Sequence, residues 1–249
     1  GTDYIELDCP GEEILLQFSG SPTVPVLPIS SGDNHFMWSN RADGSVTRLG
    51  REFDLTGVSA PITLHYETWY DLEVDYDYVY LLASIDGENW QIISTPSCSR
   101  KNVSGNNYGC GYNGYSGGWI EQEIDLSAYA GKKVTLSFEY VTDEAVTAEG
   151  FLLDNIQLDA LNYQADFESD DGGWLPEGFV NIENLIPQSF LVTILDTSGK
   201  SKIQKYALDA GDEISVTLPP LPSGQTYVVL VSGSARFTRQ EASYRIDLR

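Results

Sequence analysis

Apolar residues recur in this chain with period two rather than with a helical period, in short runs cut by Gly, Pro, Asn and Asp. Such runs predict strands over 14–18, 35–39, 48–53, 62–69, 76–85, 90–94, 119–124, 133–141 and 151–158. A second series follows over 179–185, 190–195, 202–208, 213–218, 226–231 and 244–248. Strands that bury one face must stack on other strands, so the expected class is all-β, a jelly-roll β-sandwich followed by a second, smaller β-sandwich. The acidic, aliphatic-poor stretch 161–174 marks the expected boundary, giving domains 1–162 and 163–249. The connectors DLTGVSAP (54–61) and DLSAYAGKK (125–133) read as equivalent loops of one sandwich.

The 249 residues carry 37 acidic and 14 basic side chains, a formal net charge of −23. That surface repels nucleic acid and anionic membrane and suits divalent cations or an extracellular life. No apolar run approaches the ~20 residues that span a bilayer, so membrane insertion is not expected. The chain opens Gly1-Thr2 without a signal peptide, which reads as a processing or cloning cut. Cys98 and Cys110 bracket a polar loop that a disulfide could close, contributing roughly 3 kcal/mol in the chain-entropy treatment. The pair suggests an oxidising compartment, secreted or cell envelope, with two free thiols as the alternative and Cys9 left over. Asn102-Val103-Ser104 matches a glycosylation sequon, a pattern that arises readily by chance.

The absences exclude much chemistry. His35 and His65 lie in separate strand-like segments, with no HExxH, CxxC pair, GxSxG, P-loop or dinucleotide fingerprint. The carboxylates carry the remaining signals. In 71–90, DLEVDYDYVYLLASIDGENW, the odd positions Asp75, Asp77, Val79, Leu81 and Ala83 predict a core-directed strand face that begins with two carboxylates. Buried carboxylates need hydrogen bonds, a partner or a metal. In GFLLDNIQLD (150–159), Leu152, Asp154, Ile156 and Leu158 share a face on the expected core side. Asp154 is thus a candidate calcium ligand, with Asp33, Asp43, Asp75 and Asp77 as further candidates, since calcium takes six to eight oxygens. The alternative pairs Asp154 with backbone amides, Arg41 or Arg48.

Glu73, Asp75 and Asp77 at i, i+2 and i+4 also invite a remote glycosidase reading, which needs two carboxylates about 5 Å apart. The loop 106–119, NNYGCGYNGYSGGW, offers Tyr108, Tyr112, Tyr115 and Trp119 as a candidate carbohydrate- or surface-binding platform, or as aromatics that anchor the loop.

The segments HFMWSNRADGSVTRLGREFDLTG (35–57), YETWYDLEVDYDYVYLLASIDGENW (66–90), YSGGWIEQEIDLSAYAGKKVTLSFEYVTDEAVTAEGFLLDNIQL (115–158) and DGGWLPEGFV (171–180) resemble the region after the catalytic domain in immune inhibitor A-type secreted bacterial metallopeptidases. The resemblance implies a jelly-roll module related to MAM and carbohydrate-binding sandwiches, then a smaller β domain, in a secreted zinc endopeptidase. It implies the upstream protease domain as partner, with a protein or glycan substrate to be engaged. The family's HExxH helix has no counterpart, so no catalytic residue is carried over and no zinc is expected in this fragment. The resemblance also implies structural calcium near 151–158, which favours Asp154.

Overall fold

The computed structural model describes residues 1–8, 11–30, 34–198 and 202–249. The chain forms two compact units, one of Asp33–Glu183 and one of Gly1–Gly32 together with Asn184–Arg249. Nearly all regular structure is antiparallel strand.

In the Asp33–Glu183 unit, two sheets enclose one core. The five-stranded sheet runs Leu175–Glu177, Val46–Asp54, Lys133–Val141, Tyr78–Ser84 and Gln91–Ile93. The six-stranded sheet follows the path Val180–Glu183, His35–Trp38, Gly150–Leu158, Thr63–Asp71 and Ile120–Asp125, with Tyr163–Ala165 added to Gly150–Leu158. Alternate residues of each strand point inward, as the two-residue period requires. Leu49, Phe53, Leu136, Phe138, Val79 and Leu81 of the first sheet meet Met37, Leu64, Tyr66, Phe151, Leu153 and Ile156 of the second. The connectors 54–61 and 125–133 bond to each other, Leu55 N–H donating to the Lys132 carbonyl and Gly131 N–H to the Leu55 carbonyl, both at 2.9 Å.

In the other unit, the three-stranded sheet Glu213–Leu218, Ile14–Gly20, Tyr244–Leu248 covers the four-stranded sheet Thr2–Asp8, Thr226–Gly233, Phe190–Asp196, Ile203–Leu208. Their shared core includes Leu16, Phe18 and Leu218 against Val192, Ile194 and Val229. A Cβ on Gly20 would lie 2.2 Å from the Phe190 ring, so glycine there permits the close approach of the two sheets.

This division corrects the expected boundary at 162/163. Thr2–Asp8 pairs with Thr226–Gly233, and Ile14–Gly20 is the central strand between Glu213–Leu218 and Tyr244–Leu248. Conversely, Leu175–Glu177 and Val180–Glu183 close edges of the sandwich that precedes them. The physical reason is edge satisfaction: an open strand edge seeks any complementary strand, however distant along the chain.

Two further corrections concern strand faces. Residues 73–77 form a turn and the strand begins at Tyr78, so Glu73, Asp75 and Asp77 do not share a strand face. Gly150–Leu158 carries a register shift between Asp154 and Gln157, with Asn155 at φ 50°. The bulge resets the alternation: Phe151 and Leu153 face the core, then Ile156 and Leu158 do. Asp154 therefore lies with Leu152 on the outward face, not on the core side.

Candidate metal centre

After the strand Thr63–Asp71 the chain turns back under the control of Asn113. Its side-chain amide donates to the carbonyls of Glu73 (3.0 Å) and Asp77 (2.9 Å), and its oxygen accepts from Asp75 N–H at 3.1 Å. Asp75 takes φ 69°, a left-handed conformation that Asp tolerates better than most residues. Asp77 N–H then bonds the Glu73 carbonyl at 3.2 Å, which brings the two side chains to one side of the turn. Asp143, just beyond the strand Lys133–Val141, completes a trio whose oxygens, one from each residue, lie within 4.8 Å of one another.

Asp77 has no exposed surface. One of its oxygens accepts from Asp143 N–H at 3.1 Å and the other from the Tyr140 hydroxyl at 3.2 Å. Burial pushes its carboxyl up to about 6, with the Glu73 and Asp143 charges adding to the rise and those two hydrogen bonds opposing it. Glu73 is raised by burial, then by Asp143 and Asp43, and its Oε2 is buried without a hydrogen-bond partner. Tyr140 is held well above the ordinary phenol range by burial and then by Asp77. Among the described residues, no Lys or Arg pairs with any of the three carboxylates. The trio therefore offers concentrated negative charge and hard oxygen donors.

The other sequence candidates scatter. Asp43 is exposed, its carboxylate accepting from Thr147 N–H at 3.2 Å, yet it lies near enough to raise Glu73. Asp75 is not one of the three grouped carboxylates, and its backbone carbonyl accepts from the Ser104 hydroxyl. Asp33 lies outside the described residues. Asp154 is buried, with Oδ2 accepting from the Asn34 side chain at 2.8 Å and Oδ1 from Asn155 N–H at 2.7 Å. Burial brings its carboxyl to about 6, with Glu67 directly across the sheet and Glu168 adding to the rise. The arginines named as its alternative partners bond elsewhere: Arg41 to Glu149, and Arg48 to Glu139 at 2.5 Å. Asp143 was missed because it stands in a loop with no periodic signal; its only clue is its place just after Tyr140. Glu73 was noticed only as glycosidase machinery. Asp77, without exposed surface, has no access to a sugar.

The disulfide Cys98–Cys110 is formed. It closes the loop 98–110, in which Asn107 accepts from the Tyr80 hydroxyl and Tyr108 stacks on the Tyr80 ring, and Tyr78 and Tyr80 are both buried. Of the four loop aromatics, Tyr112 is buried in a chain of hydroxyls, 2.6 Å from the Tyr66 oxygen and donating to Gln122 at 3.1 Å. Tyr112 is thus an anchor and not a platform. Trp119 packs edge-on to Phe36. Tyr108 stacks on Tyr80 and Tyr115 meets Trp69 edge-on, and both remain largely exposed.

A family model described as Immune inhibitor A-like, MAM domain, matches residues 20–183. The chain is 30% identical over 139 residues to the pre-pro-metalloprotease PrtV of Vibrio cholerae serotype O1, covering 54% of this chain and 14% of that protein. It is 32% identical over 101 residues to bacillopeptidase F of Bacillus subtilis, covering 40% of the chain and 6% of that protein. It is 32% identical over 124 residues to immune inhibitor A of Bacillus thuringiensis subsp. alesti, covering 49% and 17%. The chain therefore spans less than a fifth of the length of these relatives.

Proposed function

Since this chain belongs to the immune inhibitor A-like MAM domain family, we propose that it is a non-catalytic accessory region of a secreted zinc metallopeptidase. In this reading the protease domain is supplied by the same polypeptide, and the sandwich stabilises it and helps engage a protein or glycan substrate. The observation that carries the reading is the match over 20–183, most of which is the Asp33–Glu183 unit, in a region that fills only a small part of relatives named as a metalloprotease and a peptidase. Deleting residues 33–183 from the full-length enzyme is expected to lower its melting temperature or narrow its range of cleaved substrates. Unchanged values for both would overturn the proposal.

Calcium belongs to the same proposal. The donor set Glu73, Asp77 and Asp143 is all oxygen, which suits calcium and not a zinc site built on His and Cys. The partnerless Glu73 Oε2 favours a cation there, because a buried unpaired carboxylate oxygen is costly. Calcium would supply positive charge and join two loops of the sandwich, with Asn113 and the Tyr140 hydroxyl holding the carboxylates in place. Asp154 remains a second candidate, with its oxygens already occupied by amide donors.

A further inference from the structure

The unit of Gly1–Gly32 and Asn184–Arg249 has two outer sheet faces, and they differ in chemistry. An antiparallel sheet with one side in water alternates apolar and polar residues. The three-stranded sheet does so: Leu16, Phe18 and Leu218 enter the core, while its outer side sets Gln17 beside Ser215 and Asp247, and Ser19 beside Glu213 and Arg245. The four-stranded sheet does not. Its middle strands, FLVTILD over Phe190–Asp196 and TYVVLVSG over Thr226–Gly233, are apolar at nearly every position. Val192, Ile194, Val229 and Val231 fill the core, so Leu191, Leu195, Val228 and Leu230 face out. Register extends this face to both edges. Tyr4, Leu230, Thr193 and Lys205 form one row across the four strands, and Glu6, Val228, Leu195 and Ile203 form the next. None of these outward side chains is buried, and Tyr4 is 65% exposed, Leu191 37% and Ile203 59%.

Runs that are apolar at both parities are the pattern of strands covered on both faces. A contiguous apolar patch open to water on a sandwich whose other outer face is polar marks an interaction surface. The charges around it select the occupant. Between them, the two middle strands present only Leu191, Thr193, Leu195, Val228, Leu230 and Ser232 outward, with no charge. One edge strand presents Glu6, and the opposite edge strand presents Lys205. Neither has an ion-pair partner among the described residues. An acid on one edge and a base on the other make the face complementary to itself turned over.

We propose that this face is an interface between two copies of the chain, packed face to face about a two-fold axis parallel to the strands. That rotation reverses left and right across the sheet, so Thr2–Asp8 of one copy lies over Ile203–Leu208 of the other. Glu6 of one copy then stands one row from Lys205 of the other, within reach of its long side chain, and symmetry makes the pair twice. The apolar residues of the middle strands interdigitate between the two pairs, as inner faces of aligned sheets do at about 10 Å separation. A two-fold axis across the strands would instead stack each edge strand on its own copy and bring like charges together. The net charge of −23 on each copy opposes approach, but physiological salt screens it beyond about 8 Å and leaves the face to decide. An anionic membrane would meet Glu6 and that same net charge, and is not the occupant.

Sedimentation equilibrium of the whole chain, over about 10 µM to 1 mM in about 0.15 M salt, tests the proposal. A concentration-dependent dimer is expected, weakened about tenfold or more by Leu230→Lys. Glu6→Lys and Lys205→Glu are each expected to associate less than the parent, and to pair with one another when mixed, because the exchange restores opposite charges. Gln17→Lys, on the polar outer face, is expected to leave association unchanged. All four variants are expected to melt near the parent temperature, since each site is at least partly exposed. A monomer at every concentration, a dimer indifferent to Leu230→Lys, or a mixture of the two charge variants no more associated than either alone would overturn the proposal.

Discussion

Asp77 shows how one carboxylate can report on the state of its surroundings. Its folded value near 6 lies above the ordinary 3.8, so the folded state binds its proton more tightly than the unfolded chain. The stability this contributes is fully present below about 3.8 and is lost as pH rises through 6. Asp154, also brought to about 6, acts in the same direction. Without divalent cations, acidifying from pH 7.5 to 5 is therefore expected to raise the melting temperature, by an amount equivalent to about 1.4 kcal/mol per group. Asp77→Asn should flatten part of that slope; an unaltered slope would refute the assignment. Calcium reverses the sign, because only ionised carboxylates ligate it. The melting increment from added calcium is expected to be larger at pH 7.5 than at pH 5, near 2.7 kcal/mol when calcium stands at 100 times its Kd. Asp143→Asn should abolish that increment if the trio is the site, whereas its persistence there and loss in Asp154→Asn would move the site to the bulged strand.

Among the elements, the strand interiors were legible and the irregularities were not. Lys133–Val141, Glu213–Leu218 and Tyr244–Leu248 have the bounds that periodicity predicts, with more covered and more open residues alternating strictly in the second and in part in the other two. The bulge at Asp154 and the turn at 73–77 escaped because one residue out of step inverts every face after it. The disulfide loop was anticipated, but not its task of covering Tyr78 and Tyr80, which would otherwise look outward from the sheet. Cys98→Ser with Cys110→Ser is expected to destabilise by about 3 kcal/mol, read from denaturant unfolding. Near-parental stability would mean that hydrogen bonds such as Asn107 to the carbonyls of Ser99 and Lys101 hold the loop unaided.

For the molecule as a whole, the decisive fact is that the first strands and the last ones share a core. Residues 33–183 expressed alone are expected to fold and melt cooperatively, since both sheets and their core lie within that stretch. Residues 163–249, the domain the sequence suggests, should remain unfolded by circular dichroism, lacking Thr2–Asp8 and Ile14–Gly20. A cooperative melt from that fragment would contradict the division.

The sequence alone determined the all-β class, most of the strand positions and the cysteine pair. It also carried the family resemblance, because period, turn residues and spacing are local properties. Only the tertiary structure decided which strands pair, where the units divide, which carboxylates converge and which aromatics are buried. Those outcomes depend on partners distant in the chain, chosen by edge pairing and core packing across long loops, and a local pattern records which face a residue takes but not what it will face.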